Sequence, residues 1–262
     1  MTTEFVLVTS ILMCACFVRG ALGFGEALVA MPLLAFLIPT TTAAPLVALC
    51  GTLTAIIILC YDWRHVALRP ATLLTVFGLL AVPFGVALLK AGDERLVKGV
   101  LALVVTVFSV WSLWNPQRFK LRSDLFAPIF GFCAGFLGGA YNTAGPPLVI
   151  FGMLRHWSPQ QFRATLQSYC LIAGLWVIVC HRMSGLLTDG IVNQFLISIP
   201  LIVVSTLVGL RVTSRIPAER FIRIVLCTLI VVGFSLGLSC WNDRELVQKP
   251  PAVMNVKGIG VQ

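Results

Sequence analysis

The sequence predicts an all-α polytopic membrane protein built from two homologous halves. Three observations predict it. Of the 262 residues, 58% are hydrophobic and only 11% charged, whereas a soluble domain carries about a quarter charged residues. Apolar windows at 43–61, 71–89, 97–114, 195–210 and 221–238 reach or approach the roughly 20 residues that span a bilayer. Finally, a glycine-rich block near the N-terminus recurs in the second half. A transmembrane barrel would instead show weak alternating segments of about ten residues.

The first element, 5–38, follows Met-Thr-Thr-Glu without a basic n-region and merges into further membrane sequence. It is therefore expected to stay in the mature protein and not to be a cleaved signal. Within it GALGFGEALVAMPLLAF (20–36) aligns without gaps on GFLGGAYNTAGPPLVIF (135–151), with identities at Gly20/Gly135, Leu22/Leu137, Gly23/Gly138, Pro32/Pro147, Leu33/Leu148 and Phe36/Phe151. After the spans at 43–61 and 71–89, ERLVKGVL (94–101) opens the next span and matches ERFIRIVL (219–226) before the last one. Two matches in the same order predict a duplication, with halves at 1–117 and 118–241. The stretch 242–262 contains Lys-Pro-Pro and is expected to be a disordered tail.

Segments 5–38 and 126–154 either cross once, giving eight full spans, or fold back, giving ten elements counting half-helices. With single crossings, Lys and Arg fall nine on each side and give no orientation. With reversals, twelve of the 19 fall on one side, the positive-inside bias, with both termini outside. An odd number of elements per half also makes the repeats inverted, a common transporter plan. The reversal is the favoured reading. Fifteen residues before Gly20 and about twelve after Glu26 are short for an ordinary crossing at about 1.5 Å per residue. Glycines permit the turn, and the broken backbone must be buried or line a cavity.

The nine cysteines are scattered through apolar spans without metal-type spacing and read as packing residues. The net charge of +9 sits in short loops, where it sets membrane orientation and, secondarily, attracts anions. No nucleic acid, metal or cofactor is expected.

A Gly-rich turn, then Pro-Leu about nine residues on, repeated in a small polytopic chain, resembles the TauE/SafE family. The resemblance runs from the first element to about residue 238. It implies secondary transport of small sulfur-containing anions (sulfite or sulfonates), an internal duplication and a bacterial inner-membrane location. The chain departs from the family pattern at Glu26, where a further glycine is usual; Tyr141 holds the equivalent place in the second half.

The residues themselves suggest where an anion would sit. Asn142 and Thr143 are good N-cap types and Pro146 suits a first turn, so a half-helix is expected to start there. Its N-terminus, and a second near Gly25, would each favour an anion. Backbone at Gly23, Gly25, Gly138 and Gly139 is the candidate cradle, with Tyr141, Asn142 and Thr143 as side-chain donors. The alternative for the glycines is close helix packing. A carboxylate at membrane depth is functional by default, so Glu26 is a candidate for H+ coupling, a fixed partner of Arg19, or a residue of an aqueous vestibule. Arg19 is also free to reach substrate or to snorkel. Gln167 and its repeat counterpart Thr52 are either site walls or helix–helix hydrogen bonds. Arg155 and Arg163 are expected to set orientation. His65, His156 and His181 are expected at interfaces, and Glu94–Arg95 and Glu219–Arg220 at helix starts.

The leading expectation is a secondary anion carrier, a lipid-embedded chain for which a homodimer is an open option. The alternatives are an anion channel or a non-transporting assembly partner. No His-Glu-x-x-His, Gly-x-Ser-x-Gly or intramembrane Asp pair points to an enzyme.

Overall fold

The computed structural model describes residues 3–114, 121, 123–212, 227, 229–235 and 237–238. Among them no strand occurs. The helices are α1 (Thr3–Leu22), α2 (Glu26–Leu34), α3 (Thr40–Asp62), α4 (Leu68–Ala91), α5 (Glu94–Trp114), α6 (Ala127–Tyr141), α7 (Gly145–Leu154), α8 (Pro159–Met183) and α9 (Asp189–Val212). Short 3-10 turns at Trp63–His65 and Asp124–Phe126 follow α3 and precede α6. Among the described residues seven helices are long and apolar enough to cross a membrane; the chain is a multi-pass membrane protein. α2 and α7 have nine and ten residues, about half a hydrocarbon core at about 1.5 Å per residue. The window 221–238 is only partly described, and Glu219, Arg220 and the 242–262 tail lie outside the described residues.

Burial orders the helices from the centre outward. Within the most apolar window of each, 67% of α3 and 56% of α8 is buried against protein, but only 22% of α9. α3 and α8 therefore form the middle, with α1 packed along α9 and α6 along α4. Leu80, Phe84, Leu103, Ile129 and Val204 point outward, where lipid tails are as apolar as they are. The close approaches use small residues. A Cβ on Gly131, Gly135 or Gly139 of α6 would run into the carbonyls of Leu74, Gly78 and Val82 on α4. Gly20 and Gly209 do the same for α1 and α9, against the carbonyls of Thr206 and Phe17.

The breaks differ from the sequence reading in two respects. α1 continues through Gly20 to Leu22, 20 residues in all, so its length is that of a full crossing. Gly20 stays helical because it is a packing glycine; the reversal falls at Gly23 (φ 80°) and Gly25 (φ 97°). In the second half Gly138 and Gly139 are helical, and the left-handed residue is Asn142 (φ 53°). Asn142 is thus the C-cap of α6, its N–H donating to the Gly138 carbonyl, and not the N-cap of α7. Asparagine tolerates this conformation better than other residues with a Cβ. Ala144 holds the N-cap position of α7, without a side-chain cap.

Candidate functional site

The turn at Gly23–Gly25 folds the chain back beside α1. A Cβ on Gly25 would stand 3.6 Å from Val18 Cγ1, and Glu26 opens α2 next to Cys16 and Arg19. Arg19 Nη1 donates to Glu26 Oε2 at 2.9 Å, with the two side chains 9% and 1% exposed. At such depth either charge alone would cost several kcal/mol, so the pair explains how both are kept. The second arm of Arg19, Nη2, donates to Gln167 Oε1 at 2.8 Å, and Gln167 Nε2 donates to the Gly23 carbonyl at 2.6 Å. One amide from α8 therefore holds both the arginine and the broken backbone of the first half. Glu26 Oε1 faces the Cys16 thiol at 3.7 Å.

Gly51 on α3 makes room for this cluster. A Cβ there would stand 3.0 Å from Arg19 Nη1, 3.1 Å from Asn142 Nδ2 and 3.6 Å from Glu26 Oε2. Asn142 thereby brings the second-half break to the same point.

Two adjoining cavities of about 30 Å³ each open beside these groups. The first lies between the starts of α2 and α7, bordered by residues 25–28 and 142–145. The second extends past Gly138 and Thr52 toward Tyr169, Ala173 and Val177. Arg19, Asn142, Ala144 and Cys170 border both. Arg19 and Glu26 are the only charged side chains, among the described residues, that border either. The first intrahelical bond of α2 is Val29 N–H to the Gly25 carbonyl, so the N–H groups of Glu26, Ala27 and Leu28 lack intrahelical partners. α7 offers fewer, because Pro146 and Pro147 have no N–H; both ends still carry the positive pole of a helix.

Residues 8–236 match the family model described as Sulfite exporter TauE/SafE. The chain belongs to the TauE/SafE family. A curated relative from Cupriavidus necator, described as a probable sulfite/organosulfonate exporter TauE, is 25% identical over 186 residues, covering 69% of this chain and 71% of its own. No solved structure matches the chain significantly.

In this TauE/SafE chain the expected site residues divide into three groups. Gly25, Glu26, Asn142 and Thr143 border the cavity between α2 and α7, and Gly138 and Thr52 border the adjoining one. Gln167 and Gly23 stand behind, positioning Arg19 and the turn. Gly139 and Tyr141 border neither cavity; Gly139 packs on α4, and the buried Tyr141 hydroxyl has no partner among the described residues. The Thr143 hydroxyl donates to the Tyr141 carbonyl at 3.0 Å, so its proton is not available to a ligand. Thr52 likewise donates to Ala48 within its own helix. Arg163 pairs with Asp62, and Arg155 with Asp124 at 3.0 Å. His181, expected at an interface, is fully buried against the Gly139 carbonyl at 3.2 Å, because α8 carries it under α6.

Sequence reasoning missed Gly51 and Cys170. For Cys170 a signal existed. Gln167, Cys170, Gly174 and Val177 recur at helical spacing, one face of α8 that begins with a buried amide. Gly51 carried no such mark.

Proposed function

We propose that this chain is a secondary carrier of small sulfur-containing anions, sulfite or organosulfonates, in the bacterial inner membrane. The anion binds in the cavity between α2 and α7, without covalent chemistry. The observation that carries the reading is that cavity. It is bordered by the N-terminal ends of two half-length helices, one from each half of the chain, together with Arg19 and Asn142. The family description and the printed name of the Cupriavidus necator relative support the substrate class.

The halves 1–117 and 118–241 are read as inverted repeats. The reciprocal packing of α1 on α9 and α6 on α4, around α3 and α8, supports this, since α6 and α9 stand where a second copy would put its α1 and α4. Alternating access would then rock one half against the other around the shared cavity.

The test is flux into proteoliposomes of sulfite, sulfoacetate, taurine and sulfate, with and without a pH gradient. Saturable sulfite or sulfonate flux is expected, and non-saturating flux would point to a channel. Asn142→Gly preserves the left-handed turn but removes the amide, whereas Asn142→Ala also strains the turn by about 1–2 kcal/mol. Loss of one hydrogen bond to an anion predicts an apparent affinity about tenfold weaker in Asn142→Gly. Wild-type transport by that variant would remove Asn142 from the site.

A further inference from the structure

We infer that Glu26 is a built-in competitor for the substrate: its carboxylate occupies the oxyanion position at Arg19, and a monovalent sulfur oxyanion takes that position when Glu26 accepts a proton. The inference rests on the carrier reading above and specifies how its site is loaded.

The geometry has the form of an anion site already filled from within. Arg19 Nη1 donates to Glu26 Oε2 at 2.9 Å, and the Asn142 amide stands on the same side of Gly51, 3.1 Å from where a Cβ there would lie. Arg19 comes from α1 and Asn142 from the link between α6 and α7, and both border the cavity that Glu26 also borders. Arg19 does not depend on Glu26 for its placement, because its other arm is held by the neutral Gln167 at 2.8 Å. Glu26 is held less firmly. Among the described residues its Oε1 meets the weak Cys16 thiol donor at 3.7 Å, and it stands at the first residue of α2, directly after a left-handed glycine, at the cavity wall.

Charge balance supplies the proton. Arg19 and Glu26 sum to zero, and no other charged side chain among the described residues borders the cavities. An anion added beside an ionised Glu26 would leave one uncompensated negative charge in a low-dielectric site, which is strongly unfavourable. If the carboxylate takes up one proton, the ion pair opens, Arg19 is freed, and an incoming monoanion restores neutrality. When the anion leaves, Glu26 releases its proton and closes on Arg19 again. A dianion would still leave one excess negative charge, so sulfate is disfavoured. The helices packed on α2 bring few other titratable groups. α1 presents Arg19 and Cys16, α3 presents Cys50, and Cys170 of α8 lies across the cavity. α5 carries Arg95 and the pair Glu94–Lys98, which bond each other at 3.2 Å.

The test is calorimetric binding to the purified full chain over a range from about pH 5 to about pH 9. Methanesulfonate is the main probe because it has no group that titrates in that range; sulfite and sulfate are compared with it. Wild-type affinity for methanesulfonate should fall by up to about tenfold per pH unit once Glu26 is ionised. Glu26→Asp should keep that slope. Glu26→Gln should lose it and bind at high pH about as tightly as wild type does at low pH. In weakly buffered solution the wild type should take up about one proton per methanesulfonate bound. A flat wild-type profile, an unchanged slope in Glu26→Gln, or sulfate binding as tight as methanesulfonate would overturn the inference. If Glu26→Gln does not fold, wild-type proton uptake decides, and zero uptake overturns it. If only sulfite binds, the slopes of wild type and Glu26→Gln are compared with sulfite, whose own titration is common to both; equal slopes overturn the inference. Absence of saturable binding by every anion would instead sink the carrier reading, and this inference with it.

Discussion

Gln167 shows how much a single neutral residue carries. It is fully buried, and its amide joins Arg19 to the Gly23 carbonyl across separations in sequence of 148 and 144 residues. Gln167→Leu keeps the shape and strands two buried partners, each costing about 1–3 kcal/mol. We expect a clearly lower unfolding midpoint in detergent, and weaker anion binding because Arg19 loses its anchor. An unchanged midpoint would mean that the amide is dispensable. At this scale the sequence was informative where chemistry was conspicuous. Glu26 and Arg19 stand out as charges in apolar sequence, and the structure pairs them at 2.9 Å beside the cavity. The partner on α8 was not legible as such, since nothing local in a helical span says what it meets 148 residues away.

Elements repeat that lesson through α6, where two adjacent glycines have different fates. Successive residues on a helix are turned by about 100°, so Gly139 faces α4 while Gly138 faces the cavity. A Cβ on Gly139 would collide with the Val82 carbonyl, whereas one on Gly138 would meet Ala144 Cβ at an ordinary 3.6 Å. Gly139→Ala is therefore expected to destabilise by about 1–3 kcal/mol, and Gly138→Ala to fold like wild type. Thermal unfolding of the two proteins side by side checks this, and equal midpoints would refute the assignment of faces. Hydropathy made the spans of α3, α4, α5 and α9 legible, and the two glycine-rich blocks pointed to the short helices α2 and α7. They did not reveal which residue turns the chain. In the first half that role fell to Gly23 and Gly25, and in the second to Asn142, because Gly20, Gly138 and Gly139 are committed to helix. A glycine's duty depends on the neighbour it admits, and the neighbour belongs to another element.

For the whole molecule, the cavities beside Arg19 are small, about 30 Å³ each. On the proposed carrier function, an anion entering between α2 and α7 parts their starts. They now approach closely, since a Cβ on Gly145 would stand 4.0 Å from Leu28 Cδ1. The two helices lie far apart in sequence, so no short connection ties their starts together. A short cross-link between Leu28→Cys and Gly145→Cys should hold the gate shut. The exposed Cys14, Cys60, Cys133 and Cys227, and Cys170 at the cavity wall, are replaced by serine so that reagent is not lost on other thiols. We expect anion flux in proteoliposomes to stop on cross-linking and to return when a cleavable linker is reduced, while either single-cysteine protein is unaffected by the reagent. Cross-linked protein that still transports at the uncross-linked rate would show that the anion passes without opening the α2–α7 gap, and the cavity between them would then not be on the transport route.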